Sequence, residues 1–308
     1  MAQALRLSRS AWVTLAGALA VAAAGIAHQL IRHRGRTVIA GNAGRLVVDD
    51  GGQGGVPVLF VHSYAGTSAH WAAQLAHLRR HRRAIALNLR GHGGSAAPAD
   101  LDYSIPSLAQ DIAAAADALG LQRFVLVGHS LGGGAAAAYA AQHPERLAGL
   151  VLVATPGPTP VDISQEVLNA LEQDYPRVMA DYWPSMTQGA RPPVKAMLNA
   201  DMRRLSRKDS KALIAAGFAY DPSPALATFR GPALLIDTVH GETASALHLL
   251  LPQVPRERLT GTSHWPHLDD PDTVNRLLDR FLASVPAQPM PKMAVPVSPR
   301  REASSLPS

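Results

Sequence analysis

Seven short apolar runs punctuate the chain, and between them lie longer stretches whose apolar residues recur at helical spacing. This alternation limits the fold more than any other feature. The runs are "RLVVD" from 45, "PVLFVH" from 57, "RAIALN" from 83, "RFVLVG" from 123, "GLVLVA" from 149, "PALLID" from 232 and "RERLTG" from 256. Each is mostly apolar without a break and bounded by Gly, Pro or charge, the pattern of strands buried on both faces. Helical patterns fall at 69–80, 106–119, 131–142, 243–251 and 272–284. Such a chain is expected to be α/β: a doubly wound, mostly parallel sheet with helices on both faces.

The alternation stops between Thr155 and Gly231. That stretch holds scattered helical patterns, nine prolines and the aromatics Tyr175, Tyr182, Trp183 and Phe218. It is too long for a strand-to-helix loop. A helical cap insertion, about 156–230, is expected over the edge of the sheet where such folds bind ligands. The α/β domain then runs from 36 to 285.

The two ends differ from the middle. Residues 11–27 form an uncharged apolar run behind Arg6 and Arg9, and the first acidic residue is Asp49. Residues 1–35 are read as a cleaved signal peptide or an uncleaved membrane anchor. The expected location is therefore exported or held at an inner membrane, rather than cytoplasmic. Residues 286–308 are rich in proline and serine without apolar periodicity, and a disordered tail is expected. Cysteine is absent, which excludes disulfides and thiolate metal sites. The net charge of +6 invites a nucleic-acid reading, but the densest basic run, "RRHRR" at 79–83, carries no interleaved aromatics. It reads as a solvated face, and no nucleic-acid partner is expected.

Within "VLVGHSLGGGAAAAYA", from 125, Ser130 stands between Gly128 and Gly132 as G-x-S-x-G, after a strand and before a helix. In that context the motif carries a mechanism. A nucleophile at the tip of a strand-to-helix turn sits in strained backbone, so the flanking positions must lack side chains. The helix start turns free N–H groups and a positive dipole end toward the reacting atom. Neither G-x-G-x-x-G nor a phosphate-loop lysine is present, so a nucleotide site is not favoured.

A serine hydroxyl needs a base. His264, in "GTSHWPHLDDP" between the last strand and the final helix, is the expected one. His267 lies three residues on, but no H-E-x-x-H or third ligand accompanies it, and no metal is expected. The expected oxyanion donors are the backbone N–H groups of Leu131 and of Tyr64, the latter in "HSYAGTSAHW".

In "VPVLFVHS", "ALNLRGHGGSAAP", "FVLVGHSLGG" and "GTSHWPHLDDP" the chain resembles the α/β-hydrolase-fold superfamily, serine hydrolases with a helical cap. The resemblance covers roughly residues 45–285. It departs from the family pattern at three places. His62-Ser63 replaces the usual His-Gly, which is expected to stiffen the oxyanion loop. Asn88 replaces an aspartate and is read as structural. The family's acid follows strand seven in a pattern like P-x-L-x-x-x-G-x-x-D, which places it at Gly241, with Glu242 one residue later. Glu242 is the expected acid and Asp162 the alternative. Asp237 falls too early, and a site with no conventional acid stays open.

The resemblance implies a serine hydrolase of a small or medium apolar carboxylic ester or lactone, through an acyl-enzyme on Ser130, with a small molecule as its partner and no cofactor. Two alternatives remain: hydrolysis of a carbon–carbon bond in a diketone with the same residues, and a ligand-binding protein on a hydrolase scaffold.

Overall fold

A computed structural model of the chain describes residues 35–286. The apolar run at 11–27 and the proline- and serine-rich tail from 287 onward lie outside those residues. Among the described residues no helix is long and apolar enough to cross a membrane.

All seven expected runs are strands of one eight-stranded sheet. The strands are β1 (Arg36–Gly41), β2 (Gly44–Gly51), β3 (Val58–Val61), β4 (Ala84–Asn88), β5 (Phe124–His129), β6 (Leu147–Val153), β7 (Ala233–Thr238) and β8 (Arg256–Leu259), in the order β1-β2-β4-β3-β5-β6-β7-β8. The hairpin β1–β2 is antiparallel, and β2 runs antiparallel to β4. Every other neighbouring pair is parallel. β1 was not expected. Only Ile39 of its six residues is buried, because it is an edge strand, and its apolar run, Val38, Ile39 and Ala40, is shorter than those of the buried strands.

The central strands are buried on both faces because alternate side chains enter different cores. Val58 and Phe60 of β3 join Val125 and Val127 of β5 on one face, whereas Leu59 and Val61 join Phe124 and Leu126 on the other. The first face is covered by α1 (Ala72–Leu78) and, from the far end of the chain, Leu277, Leu278 and Phe281. The second is covered by α2 (Ile105–Ala118) and α3 (Leu131–Gln142). Four consecutive alanines, Ala135 to Ala138, are buried in α3, and these small side chains let the helix lie close on the sheet.

Between β6 and β7 stand four helices: α4 (Val161–Met186), α5 (Pro192–Met202), α6 (Arg207–Phe218) and α7 (Ser223–Thr228). α4 breaks at Asp174, whose φ of −146° and ψ of 73° are not helical. Pro176, two residues on, is the cause: it lacks the N–H its turn needs, and its ring crowds the turn before it. Leu171, Met179, Trp183, Leu198 and Ile214 make a third core with Ala65 and Trp265. The cap therefore rests on the loop after β3 and on the loop that holds His264.

The helix expected over 243–251 shrinks to α8 (Leu247–Leu250). The preceding loop is drawn away by ion pairs from Glu242 to the edge strand β8. The chain ends in α9 (Pro266–Asp269) and α10 (Pro271–Ser284), the latter capped by the Asp270 side chain, which accepts from the Thr273 N–H.

One buried ion pair ties the loop after β4 to α2. The Arg90 guanidinium meets Asp111 at 2.8 Å and also donates to the carbonyls of Asp102 and Ser107. Asp111→Ala leaves that cation buried and unpaired. It should lower unfolding free energy by about 3–5 kcal/mol, read as a lower midpoint in urea at unchanged slope.

Candidate active site

Ser130 has φ 51° and ψ −116°, a conformation disfavoured for any residue with a Cβ. The turn is held by bonds around it: the Ser130 N–H donates to the Val153 carbonyl at 2.9 Å, and the N–H groups of Gly133 and Gly134 donate to the Ser130 carbonyl. The flanking glycines are sterically required. A Cβ on Gly128 would lie 2.5 Å from the Gly132 carbonyl oxygen, and one on Gly132 would collide with the His62 carbonyl and lie 2.8 Å from that of Val61. The Ser130 hydroxyl makes no capping bond to α3. The Leu131 N–H opens that helix, where no carbonyl lies one turn back to accept it.

The loop after β3 carries the second expected donor. His62 is fixed at both nitrogens: Nδ1–H donates to the Ser63 carbonyl at 2.8 Å, and Nε2 accepts from the Leu89 N–H at 3.1 Å. Ser63 is not among the described non-glycine residues with positive φ. Ala65 takes that conformation instead, at φ 54°, and the Gly66 N–H closes the turn on the Ser63 carbonyl. Asn88 bonds through both ends of its amide. It accepts from the Ser68 N–H and donates to the Val47 carbonyl and the Ser68 hydroxyl, a structural joint between β2, β4 and this loop.

His264 is buried, and neither of its ring nitrogens has a hydrogen-bond partner. Its carbonyl accepts from Nε2–H of His129, the residue before Ser130, and the two imidazoles lie 5.1 Å apart. The structure thus brings Ser130 and the His264 loop to one place. Asp269 clamps that loop. It accepts from the Ser263 N–H and hydroxyl at 2.9 and 2.5 Å, and from the Arg191 N–H at the start of the cap's α5 at 3.0 Å. His267 stacks on Trp71 at 4.1 Å as a packing residue.

The carboxylates do not join this group. Glu242, expected to orient His264, is 40% exposed and held by Arg258 at 2.7 Å and Arg256 at 3.2 Å. Two guanidiniums on the edge strand outcompete one neutral imidazole for an anion. Asp237 bonds Arg256 at 2.9 Å, and burial raises its pKa. Asp162 is exposed in the first turn of α4, a favourable place for an anion at a helix start, and is not joined to His264. From the loop after β7, the titratable group that His264 senses is His240, an imidazole rather than an acid.

Sequence reasoning missed two polar tethers from the cap. His70 Nε2 meets Asp201 of α5 at 3.0 Å, both buried, and the hydroxyls of Tyr64 and Tyr175 converge on Ser210 of α6. No local pattern marks these residues, since each pair is brought together only by the cap's placement.

A family model for the alpha/beta hydrolase fold matches residues 56–234, more than half of the chain. The chain belongs to the alpha/beta hydrolase fold family. Among curated relatives, it is 38% identical over 126 residues to a 2-hydroxy-6-oxo-2,4-heptadienoate hydrolase of Pseudomonas putida, a match covering 40% of this chain and 45% of that protein. The chain spans less than half the length of the curated relatives it matches. Among solved structures, a hydrolase from Pseudomonas aeruginosa PA01 is 25% identical with a TM-score of 0.70, over 81% of this chain and 98% of that one. The enol-lactonase of Burkholderia xenovorans LB400 shares the fold at 24% identity and a TM-score of 0.70, over 80% and 100% of the two chains.

Burial pushes five imidazoles well below the ordinary histidine range: His62, His129 and His267, with His92 at about 4 and His264 at about 3. Unfolded histidines take up protons near pH ~6.5, whereas these stay neutral in the fold. The stability they contribute is complete above about pH 6.5. It is lost as the pH falls toward their folded values, at up to about 1.4 kcal/mol per pH unit for each. Urea midpoints should therefore decline steadily between pH ~7 and pH ~5. A flat or rising midpoint would mean that these imidazoles bind protons in the folded chain.

Proposed function

We propose that the chain is a serine hydrolase of a small or medium apolar carboxylic ester or lactone. The observation that carries the reading is Ser130 itself, a non-glycine residue at φ 51° between two glycines with no room for a Cβ. Strained residues of this kind cluster at active sites, held there by the surrounding structure. The family membership and the relatives named as hydrolases support the same reading.

In the proposed reaction the Ser130 hydroxyl oxygen attacks the ester carbonyl carbon, and His264 takes the hydroxyl proton. The N–H groups of Leu131 and Tyr64 hold the oxyanion of the tetrahedral intermediate. Collapse expels the alkoxide, which receives the proton from His264. Water then attacks the acyl-enzyme by the same route, releasing the acid and restoring Ser130. Support for His264 as base comes from its loop, whose carbonyl is bonded to the residue before Ser130, and from ring nitrogens with no competing bond. We assign no catalytic part to Glu242, whose charge is already neutralised by two arginines.

A second reading, hydrolysis of a carbon–carbon bond in a diketone by the same residues, is supported by the Pseudomonas putida relative named for a 2-hydroxy-6-oxo-dienoate. Comparing turnover of p-nitrophenyl esters with that of a vinylogous diketone separates the two.

A fluorophosphonate probe should label the chain at Ser130, mapped by mass spectrometry. Ser130→Ala should keep the fold and lower kcat by about 10⁴- to 10⁶-fold. Ester turnover within tenfold of the parent in a clean preparation would remove the assignment. Glu242→Gln should change kcat by no more than about threefold, because its partners are arginines. The loss of about 10⁴ typical when a triad acid is disabled would instead return Glu242 to the site.

A further inference from the structure

Ser210, on the cap helix α6, is fully buried, yet its hydroxyl is the centre of a polar cluster. The Tyr175 hydroxyl, from α4 just past its break, donates to it at 2.7 Å. The Tyr64 hydroxyl lies 2.6 Å away on the other side. A serine hydroxyl offers one proton and two lone pairs, so both tyrosines can be satisfied at once. Tyr64 and Tyr175 pack against the apolar cap core of Leu171, Trp183 and Ile214. The buried Ser210 hydroxyl thus holds the Tyr64 hydroxyl against the cap.

What this cluster holds is the loop after β3. The two ends of that loop are tied to the sheet side, His62 to the Leu89 N–H and the Ser68 N–H to Asn88. Between them lies the strained residue Ala65, at φ 54°. Among the described residues, the one side-chain hydrogen bond from residues 63–66 to another element is Tyr64 to Ser210. Ala65 itself packs into the cap core. Sheet contacts therefore set the ends of the loop, and the cap sets its middle. A strained conformation persists only where its surroundings over-determine it.

We propose that Ser210 is a positioning residue for the hydrolytic site: by holding the Tyr64 side chain from the cap, it fixes the loop whose Tyr64 N–H receives the developing oxyanion. This rests on the serine-hydrolase reading. An oxyanion donor acts through geometry, and displacing it by about 1 Å can lower the rate about a hundredfold while ground-state binding is little changed. Ser210 touches no reacting atom. Its effect belongs in kcat rather than in KM.

The test uses the full chain and four variants: Ser210→Ala, Tyr64→Phe, the two together, and Tyr175→Phe. Hydrolysis of p-nitrophenyl acetate, the rate of fluorophosphonate labelling at Ser130 and thermal unfolding are measured for each. Ser210→Ala and Tyr64→Phe should each lower kcat by about ten- to a hundredfold, with KM within about twofold and a parallel fall in labelling rate. The double variant should be no slower than the slower single one, because both changes remove the same link. Tyr175→Phe, which breaks only the arm inside the cap, should stay within about threefold. If Ser210→Ala does not fold, Tyr64→Phe, which keeps the ring, decides the matter. Turnover within twofold of the parent in Tyr64→Phe, or equal losses in Tyr175→Phe, would overturn the proposal. A parent chain that neither turns over the ester nor is labelled at Ser130 would overturn the hydrolase reading, and this one with it.

Discussion

The close approach of α3 to the ends of β3 and β5 is the contact on which the candidate site depends. At Gly132 the helix backbone lies against the carbonyls of Val61 and His62, and at Gly128 the strand lies against the helix's first turn. With no side chains between them, the chain can reverse from strand to helix within the single residue Ser130. That reversal forces the positive φ and leaves the hydroxyl uncommitted to capping. It also sets the first free N–H of α3 beside the loop after β3. Moving the helix outward by the width of one methyl group would separate these elements together.

The second layer of organisation is the cap's grip on two loops. Its apolar core includes Ala65 from the oxyanion loop and Trp265 from the base loop. Trp183 stands at its centre, edge-on to Trp265 at 5.5 Å and to Tyr64 at 6.2 Å, with its indole N–H donated to Asn199. Polar bonds give this apolar contact direction. Asp201 reaches His70, the Arg191 N–H reaches Asp269, and Ser210 reaches Tyr64. Apolar contact alone is non-directional. Buried hydrogen bonds specify one seating of the cap, because any other leaves them unmade.

Below the cap lies a group of imidazoles that the protein keeps uncharged. His62 and His92 lie 4.9 Å apart, and His129 stands between His264 and His267 at 5.1 and 4.7 Å. Cations at such spacing in a dry interior would repel strongly, so the folded chain favours the neutral imidazoles. The one acidic residue of the loop after β7, Glu242, pairs instead with Arg256 and Arg258 of β8. That ion-pair cluster anchors the loop and leaves an imidazole, His240, as the titratable group from that loop that His264 senses.

Much of this was legible in the sequence because it is written in local patterns. Continuous apolar runs became buried strands, since both faces of a central parallel strand meet helices. The Gly128-His129-Ser130-Leu131-Gly132 stretch became the strained turn, since sterics within five residues demand it. The edge strand β1 escaped notice because a strand with one buried residue needs only a short apolar run. The chain order placed Glu242 near a base, but it did not reveal the competing arginines 14 and 16 residues further on. Nor could any local pattern show that Ser210 would meet Tyr64 across 146 residues. Sterics and hydrophobic periodicity act between neighbours along the chain, and these the sequence determined by itself. The partner of a charge or a hydroxyl is whichever group lies within about 3 Å once the sheet edge and the cap are in place, and that only the tertiary structure decided.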